Sequence, residues 1–451
     1  MAPAGRRTFA SLLLVMATLA VVLSIAVTGN LVSRAQILPI GAHQSPCGTA
    51  PNPGWFHTKG VWIEDSQNCR VRLEGVTWYG MQTLFYAPGG LDYQPYTAIL
   101  SKIKDLGFNT IRIPLTDQLV RYDSQITVTQ HLRANPDLKG LHPLQILDRI
   151  IQAAGQLGLF VILDNHDTTA RTKPIAPGEG PALWTEGSYS ELTWIHDWTT
   201  LARRYQNNPT VIGFDLRNEP HTNGPGPWSL KTYLKQGATW GRYPSKAWKR
   251  RTDWARAARR CGDAVLKVNP HLLIFVEGVQ LYPDAKEPRH IDAYWWGSIL
   301  RGVAHDPVRL DVPHQLVYST HEWGPWKYRS PQFYGKVTWK RIFHLFNSQW
   351  GFILHQADRA LRAPIWLGEF NTCNDRKKCV ANSKRGSQGQ WFQILLRYLK
   401  RNPEISWSYY PINGTNSWDQ TSNNSILNHH WSKVRLKTLM KALKPIQRQP
   451  G

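Results

Sequence analysis

Acidic side chains are scarce in this chain: 31 aspartates and glutamates stand against 54 lysines and arginines, a formal net charge of +23 over 451 residues. Such an excess admits nucleic acid, anionic lipid or an acidic polymer as a partner. The cations are scattered, however, and gather only in Lys249-Arg250-Arg251 and Arg376-Lys377-Lys378. No nucleic-acid-binding motif accompanies them, so they read as a solvated basic surface, with no nucleic acid partner. Cysteine is also sparse: five residues allow at most two bridges and leave one thiol over. No C-x-x-C pair or metal-ligand spacing occurs, which predicts neither a metal nor another cofactor. Low-complexity tracts, internal repeats and a second domain are likewise not evident.

What is present begins with Arg6 and Arg7, followed by an apolar run from about Phe9 to Val27. That pattern is a secretory signal peptide or an N-terminal membrane anchor, covering residues 1–35. Ser33-Arg34-Ala35 offers a small-residue cleavage site, while the run is long enough to span a bilayer uncleaved. Residues 36–54 read as a linker, 55–445 as one catalytic domain and 446–451 as a tail. The expected location is therefore extracellular, free or anchored at the outer face of the membrane, and the expected state is a monomer. In an exported chain, Cys47 with Cys69 and Cys373 with Cys379 are the first pairings to test, each closing a short loop. Cys261 lies in a helical stretch and reads as a buried free thiol.

Short apolar runs alternate with longer segments whose apolar residues recur three and four apart. The runs read as strands are Leu73–Trp78, Thr110–Ile113, Phe160–Leu163 and Val211–Leu216. Four more are Leu272–Val276, Leu316–Ser319, Ile365–Gly368 and Ile405–Tyr409. Helical spacing marks Tyr96–Leu106, Leu144–Leu157, Leu192–Tyr205 and Ala255–Val268. Strands alternating with helices in this way predict an α/β fold, a closed (β/α)8 TIM barrel. A hairpin from Val61–Ile63 and Arg70–Leu73 is expected to plug the barrel floor. The segment His221–Arg251, with Trp228, Trp240 and Trp248, reads as a long loop shaping the upper face.

Barrels of this type carry their chemistry at the strand C-terminal ends. Glu219, in Arg217-Asn218-Glu219-Pro220, and Glu369, in Trp366-Leu367-Gly368-Glu369-Phe370, each follow a strand-like run. Two carboxyl groups meeting in one cleft, one protonated and one ionised, are the minimum for cleaving a glycosidic bond. Arg112, His166, Asn218 and His321 fall at other strand ends, as does Glu277, which reads as a structural carboxylate. The 21 tryptophans suit both a large core and flat platforms for sugar rings.

Five ordered stretches together resemble glycoside hydrolase family 5, formerly cellulase family A, in its bacterial endoglucanase branch. They are Gly107-Phe108-Asn109-Thr110-Ile111-Arg112-Ile113-Pro114, Phe214-Asp215-Leu216-Arg217-Asn218-Glu219-Pro220, Ile274-Phe275-Val276-Glu277-Gly278, Val317-Tyr318-Ser319-Thr320-His321-Glu322-Trp323 and Trp366-Leu367-Gly368-Glu369-Phe370. The likeness runs from about Trp55 to Leu443. It implies a retaining endo-β-1,4-glucanase acting on cellulose or a related β-glucan, with Glu219 as acid/base and Glu369 as nucleophile. It also implies that Arg112, His166, Asn218 and His321 line the substrate cleft and that Trp407 stacks under a sugar, with Trp78 and Trp296 as further platforms. One departure stands out: Trp323 occupies a position where the family often has a tyrosine whose hydroxyl contacts the nucleophile. A mannan- or xyloglucan-active relative is the nearest alternative. A non-catalytic polysaccharide-binding protein, or a cationic surface protein held by an anionic polymer, would represent other classes.

Overall fold

The computed structural model describes residues 47–48, 54–171, 182–223, 229–241, 251–284, 287, 290–325, 337–415 and 423–447. The expected signal or anchor, most of the linker, and Trp228 and Trp248 lie outside these residues. The barrel strands, in chain order, are Glu74–Thr77, Thr110–Thr116, Phe160–Asp167, Val211–Asp215, Leu273–Glu277, Leu316–Glu322, Ile365–Phe370 and Ser406–Tyr409. Each pairs in parallel with its neighbours, and the eighth closes onto the first. All the strand-like runs of the sequence are therefore barrel staves, in the predicted order.

The helices form because their apolar residues share a face and because their first turns are capped. In Trp254–Val268 the buried side includes Trp254, Ala258, Cys261 and Val265, spaced as a helix turns. The Asp253 side chain caps its start by accepting from the Arg256 N–H, and Ser190 does the same for Glu191–Arg204. Cys261 is the buried free thiol expected, and the bridges Cys47–Cys69 and Cys373–Cys379 are both formed.

Below the barrel, His57–Lys59, Trp62–Glu64 and Arg70–Val71 make a small antiparallel sheet. Its Phe56, Ile63 and Val71 pack against Ile162, Ile212, Leu273 and Val317 of the barrel, so the floor is closed by apolar side chains. The upper layer of the interior is different. There Arg112, Asp164, Asp215, Glu277 and His321 are all fully buried, a concentration of charge that packing alone does not require. Among the long-loop residues described, Leu230–Gln236 is a short helix and Trp240 is buried, its indole N–H donating to the Asp306 carbonyl. Trp240 thus belongs to the core and does not line a cleft.

Candidate active site

Arg112 is the hub. From the second barrel strand its guanidinium reaches Asp215 Oδ2 at 3.1 Å, Asp164 Oδ1 at 3.0 Å, Glu277 Oε1 at 3.3 Å and Glu369 Oε1 at 2.6 Å. It also donates to Asn218 Oδ1 at 3.0 Å. Burial disfavours its charge, but the surrounding carboxylates raise its pKa well above the ordinary value. A planar fork of donors is the side chain able to satisfy several carboxylates at once.

Glu369 reaches this hub through a break in strand register. Thr320 pairs with Leu367 but His321 pairs with Glu369, so Gly368 is the extra residue of a bulge. A Cβ at Gly368 would stand 2.9 Å from Ser319 Oγ and 3.0 Å from His321 Nε2, so the bulge packs tightly only with glycine. The carboxylate of Glu369 thereby emerges opposite His321, with its side chain 5% exposed.

Glu219 arrives differently. Its backbone adopts φ +48°, in the left-handed region that non-glycine residues seldom occupy. Three neighbours hold it there. Its N–H donates to Glu277 Oε2 at 2.7 Å, its carbonyl lies 2.7 Å from His221 Nδ1, and Gly297 packs beside its Cα. A Cβ at Gly297 would meet Glu277 Oε2 at 2.3 Å, so the space is shaped around that carboxylate. The turn aims the Glu219 side chain at His321, whose Nδ1 lies 2.9 Å from Glu219 Oε1.

His321 Nε2 stands 3.2 Å from Glu277 Oε1, though without the alignment of a hydrogen bond. Burial opposes a charged imidazole, yet Glu277 and Glu369, with the contacts to Glu219, raise its pKa well above the ordinary value. His321 Nδ1 is thus placed to donate to Glu219 Oε1. Burial, and then the charge of Glu277, pushes Asp215 well above the carboxylate range, and burial pushes Glu277 up as well. One oxygen of Glu219, one of Glu369 and a ring nitrogen of His321 lie within 4.8 Å of one another.

His166 lies on the third strand with Nδ1 2.7 Å from Asp164 Oδ2, which leaves its other ring nitrogen for the partly open side. Its raised pKa reflects burial, which lowers it, outweighed by Asp164. Asn218 is partly exposed beside Glu219. Trp323, Tyr79 and Tyr410 form an aromatic wall at the barrel mouth, separate from the main core, with Trp295 against it. Trp296 is partly exposed and stacks on His221 with ring centroids 3.8 Å apart.

Trp407 and Trp78 need correction as sugar platforms. Trp407 is 0% exposed, and its ring packs edge-on against Phe108 and Phe370. In the last strand Ser406 and Ser408 flank it, and Ser408 hydrogen-bonds Thr77, so the alternation sends the tryptophan to the opposite face, among the helices. Trp78 is also 0% exposed, its indole N–H donating to the Gly89 carbonyl. Neither ring can receive a sugar. The aromatic at the mouth from this strand is Tyr410, just beyond it, whose N–H donates to the Phe370 carbonyl. Asp164, Asp215 and His221 also went unread in the sequence. The signal for the first two was an acid closing each apolar run, Val161-Ile162-Leu163-Asp164 and Gly213-Phe214-Asp215.

The chain is similar to known proteins over most of its length. The model of the cellulase family, glycosyl hydrolase family 5, matches residues 66–416. An endoglucanase of Paenibacillus polymyxa is 35% identical over 397 residues, covering 87% of this chain and 88% of its own. The endocellulase of Pyrococcus horikoshii in complex with cellotetraose is 30% identical with a TM-score of 0.72, over 88% of this chain and 99% of that one. The catalytic domain of the major endoglucanase from Xanthomonas campestris is 28% identical with a TM-score of 0.68, over 87% of this chain and 99% of that one. With a family match spanning most of its length, the chain belongs to the cellulases of glycosyl hydrolase family 5.

Proposed function

We propose that this glycoside hydrolase cleaves internal β-1,4 linkages of cellulose or a related β-glucan with retention of configuration. Glu219 is the general acid/base and Glu369 the nucleophile. The observation that carries the reading is that one oxygen of Glu219 and one of Glu369 lie within 4.8 Å of each other. Retaining enzymes hold their carboxyl groups about 5–5.5 Å apart, whereas inverting ones leave room for a water. Arg112 donates to Glu369 Oε1 at 2.6 Å, which fixes the carboxylate in place for attack.

In the first step Glu369 attacks the anomeric carbon while Glu219 gives its proton to the departing oxygen. Glu219 is then an anion, and the His321 Nδ1 at 2.9 Å is placed to donate to it. Glu369 loses its negative charge in the covalent glycosyl-enzyme, so the net charge of the site is unchanged through the step. In the second step Glu219 takes a proton from water, which attacks the same carbon and releases Glu369. Asn218 accepts from Arg112 through Oδ1, which turns its amide N–H2 outward, suited to a sugar 2-hydroxyl. His166 and the wall of Tyr79, Trp323 and Tyr410 suit a sugar on one side of the scissile bond, and Trp296 suits one on the side of Glu219.

The enzyme is exported, by this reading, through the apolar segment Phe9–Val27, either cleaved or kept as an anchor. Its two bridges suit an oxidising compartment. Incubation with a panel of soluble glucans, mannan and xyloglucan tests the activity. The expected result is β-1,4-glucan shortened internally, with both Glu219→Gln and Glu369→Gln losing hydrolysis. Undiminished hydrolysis by either variant overturns the role of that residue, and preference for mannan or xyloglucan overturns the substrate class.

A further inference from the structure

The fold converts one of the scattered basic clusters into a concentrated patch. Immediately after the strand that carries Glu369, the bridge Cys373–Cys379 clamps a small lobe on the catalytic face of the barrel. Thr372 Oγ1 donates to the Cys379 carbonyl at 2.7 Å and Asn374 Nδ2 to the Ser425 carbonyl at 2.9 Å, so the lobe is tied at both ends. Arg376, Lys377, Lys378, Lys384 and Arg385 are all exposed on it. From residue 371 to residue 401 the only acid is Asp375, which pairs with Arg376 at 3.3 Å.

Two further features add to the positive field. The lobe leads into the N-terminus of the helix Gln388–Arg401, the positive end of its dipole. Gln390 Nε2 donates to the Val337 carbonyl at 3.3 Å, which joins this end to the start of the helix Trp339–Gln349. That second helix brings exposed Lys340 and Arg341 to the same rim, and residues 337–349 contain no acid. Like charges so close repel one another, and a counter-charge from outside relieves them.

We propose that this clamped basic lobe binds an anionic, carboxylate-bearing polysaccharide, and so holds the enzyme where its neutral glucan substrate is interwoven with a polyuronide. The described residues of the lobe lack what other polyanions would need. The exposed large apolar side chains among the described residues are Leu84, Tyr93, Tyr122 and Leu192, none of them on the lobe. Among the described residues of the lobe, 371–387, there is thus no exposed apolar wedge for a lipid bilayer and no exposed aromatic ring for nucleobases. A polyuronide needs neither, since it presents its charges on a flexible polar chain. The site is open to a long polymer because it stands on the rim and outside the barrel mouth.

The test uses the whole protein and measures retention on immobilised polygalacturonate at low and high salt. The triple variant Lys377→Glu, Lys378→Glu, Lys384→Glu is compared with Lys104→Glu, Lys139→Glu, Lys267→Glu, which changes net charge equally elsewhere. The lobe variant is expected to bind about tenfold or more weakly at low salt, with a shallower salt dependence, while the control stays near wild type. Unchanged hydrolysis of a neutral soluble cellulose derivative shows that both variants are folded, and binding is read independently of any catalytic assignment. Equal losses in the two variants would reduce the effect to diffuse net charge and overturn the proposal. Equal retention of the wild type on fully methyl-esterified polymer, or tighter binding to phosphatidylglycerol vesicles or single-stranded DNA than to polygalacturonate, overturns it too.

Discussion

Glu277 contacts neither the cleft nor, by this account, the sugar, yet replacing it should disable proton donation. Its Oε2 accepts from the Glu219 N–H at 2.7 Å, while Oε1 faces Arg112 at 3.3 Å and His321 at 3.2 Å. Glutamine keeps the shape but has a single acceptor oxygen. In Glu277→Gln an amide N–H2 must therefore oppose a donor on one side, either the Glu219 backbone or the Arg112 and His321 pair. Losing one charge-assisted hydrogen bond costs about 1.5–3 kcal/mol, or about 10- to 150-fold in rate if it is expressed in the transition state. Because Glu219 sits at φ +48°, release of that bond lets its backbone relax and swings the acid off its line. The loss should depend on the leaving group. On cello-oligosaccharides, whose sugar leaving group needs a proton, kcat/KM falls by that factor. On a 2,4-dinitrophenyl cellobioside, which leaves unprotonated, the fall stays below about threefold. An equal loss on both substrates, with unchanged thermal stability, would refute the reasoning and place the effect on the nucleophile.

The remaining predictions concern the hub, the platforms and pH. Arg112→Met leaves four carboxylates without their cation and should cost about 3–5 kcal/mol, read as a lowered Tm or failure to fold. Trp407→Ala should cost about 3–5 kcal/mol of stability with KM of the folded fraction unchanged, whereas Trp296→Ala should raise KM about tenfold with little change in Tm. Burial pushes the His221 pKa down to about 4, so its contribution to stability is whole above pH 6.5 and is lost as pH falls toward 4. Replacing it by phenylalanine should flatten the denaturation free energy across that interval by about 3 kcal/mol.

The barrel is legible because each strand is a short apolar run bounded by turns, and because the helices between repeat their apolar residues three and four apart. The site is legible wherever a polar residue closes such a run, as do His166 and Glu369, or interrupts one, as does Arg112 within Thr110–Thr116. Tryptophan defeats this reading. Its burial depends on which way one position of a strand faces, and a shift of one residue separates a sugar platform from the core. Ser406 and Ser408, small enough for the narrow interior, held the clue that Trp407 points outward. The left-handed turn at Glu219 and the bulge at Gly368 leave little trace either, since both depend on partners far away in the chain. Asp215 and Glu277 are needed as counter-charges only once Arg112 and His321 are buried together.

In the proposed mechanism Glu369 is the residue that bonds to the sugar. Incubation with a 2-deoxy-2-fluoro cellobioside bearing an activated leaving group, followed by proteolysis and mass spectrometry, reads that bond directly. The predicted result is a single covalent adduct on the peptide containing Glu369, absent in Glu369→Gln. An adduct on Glu219 or elsewhere, or turnover with no adduct and an inverted first product, would contradict it.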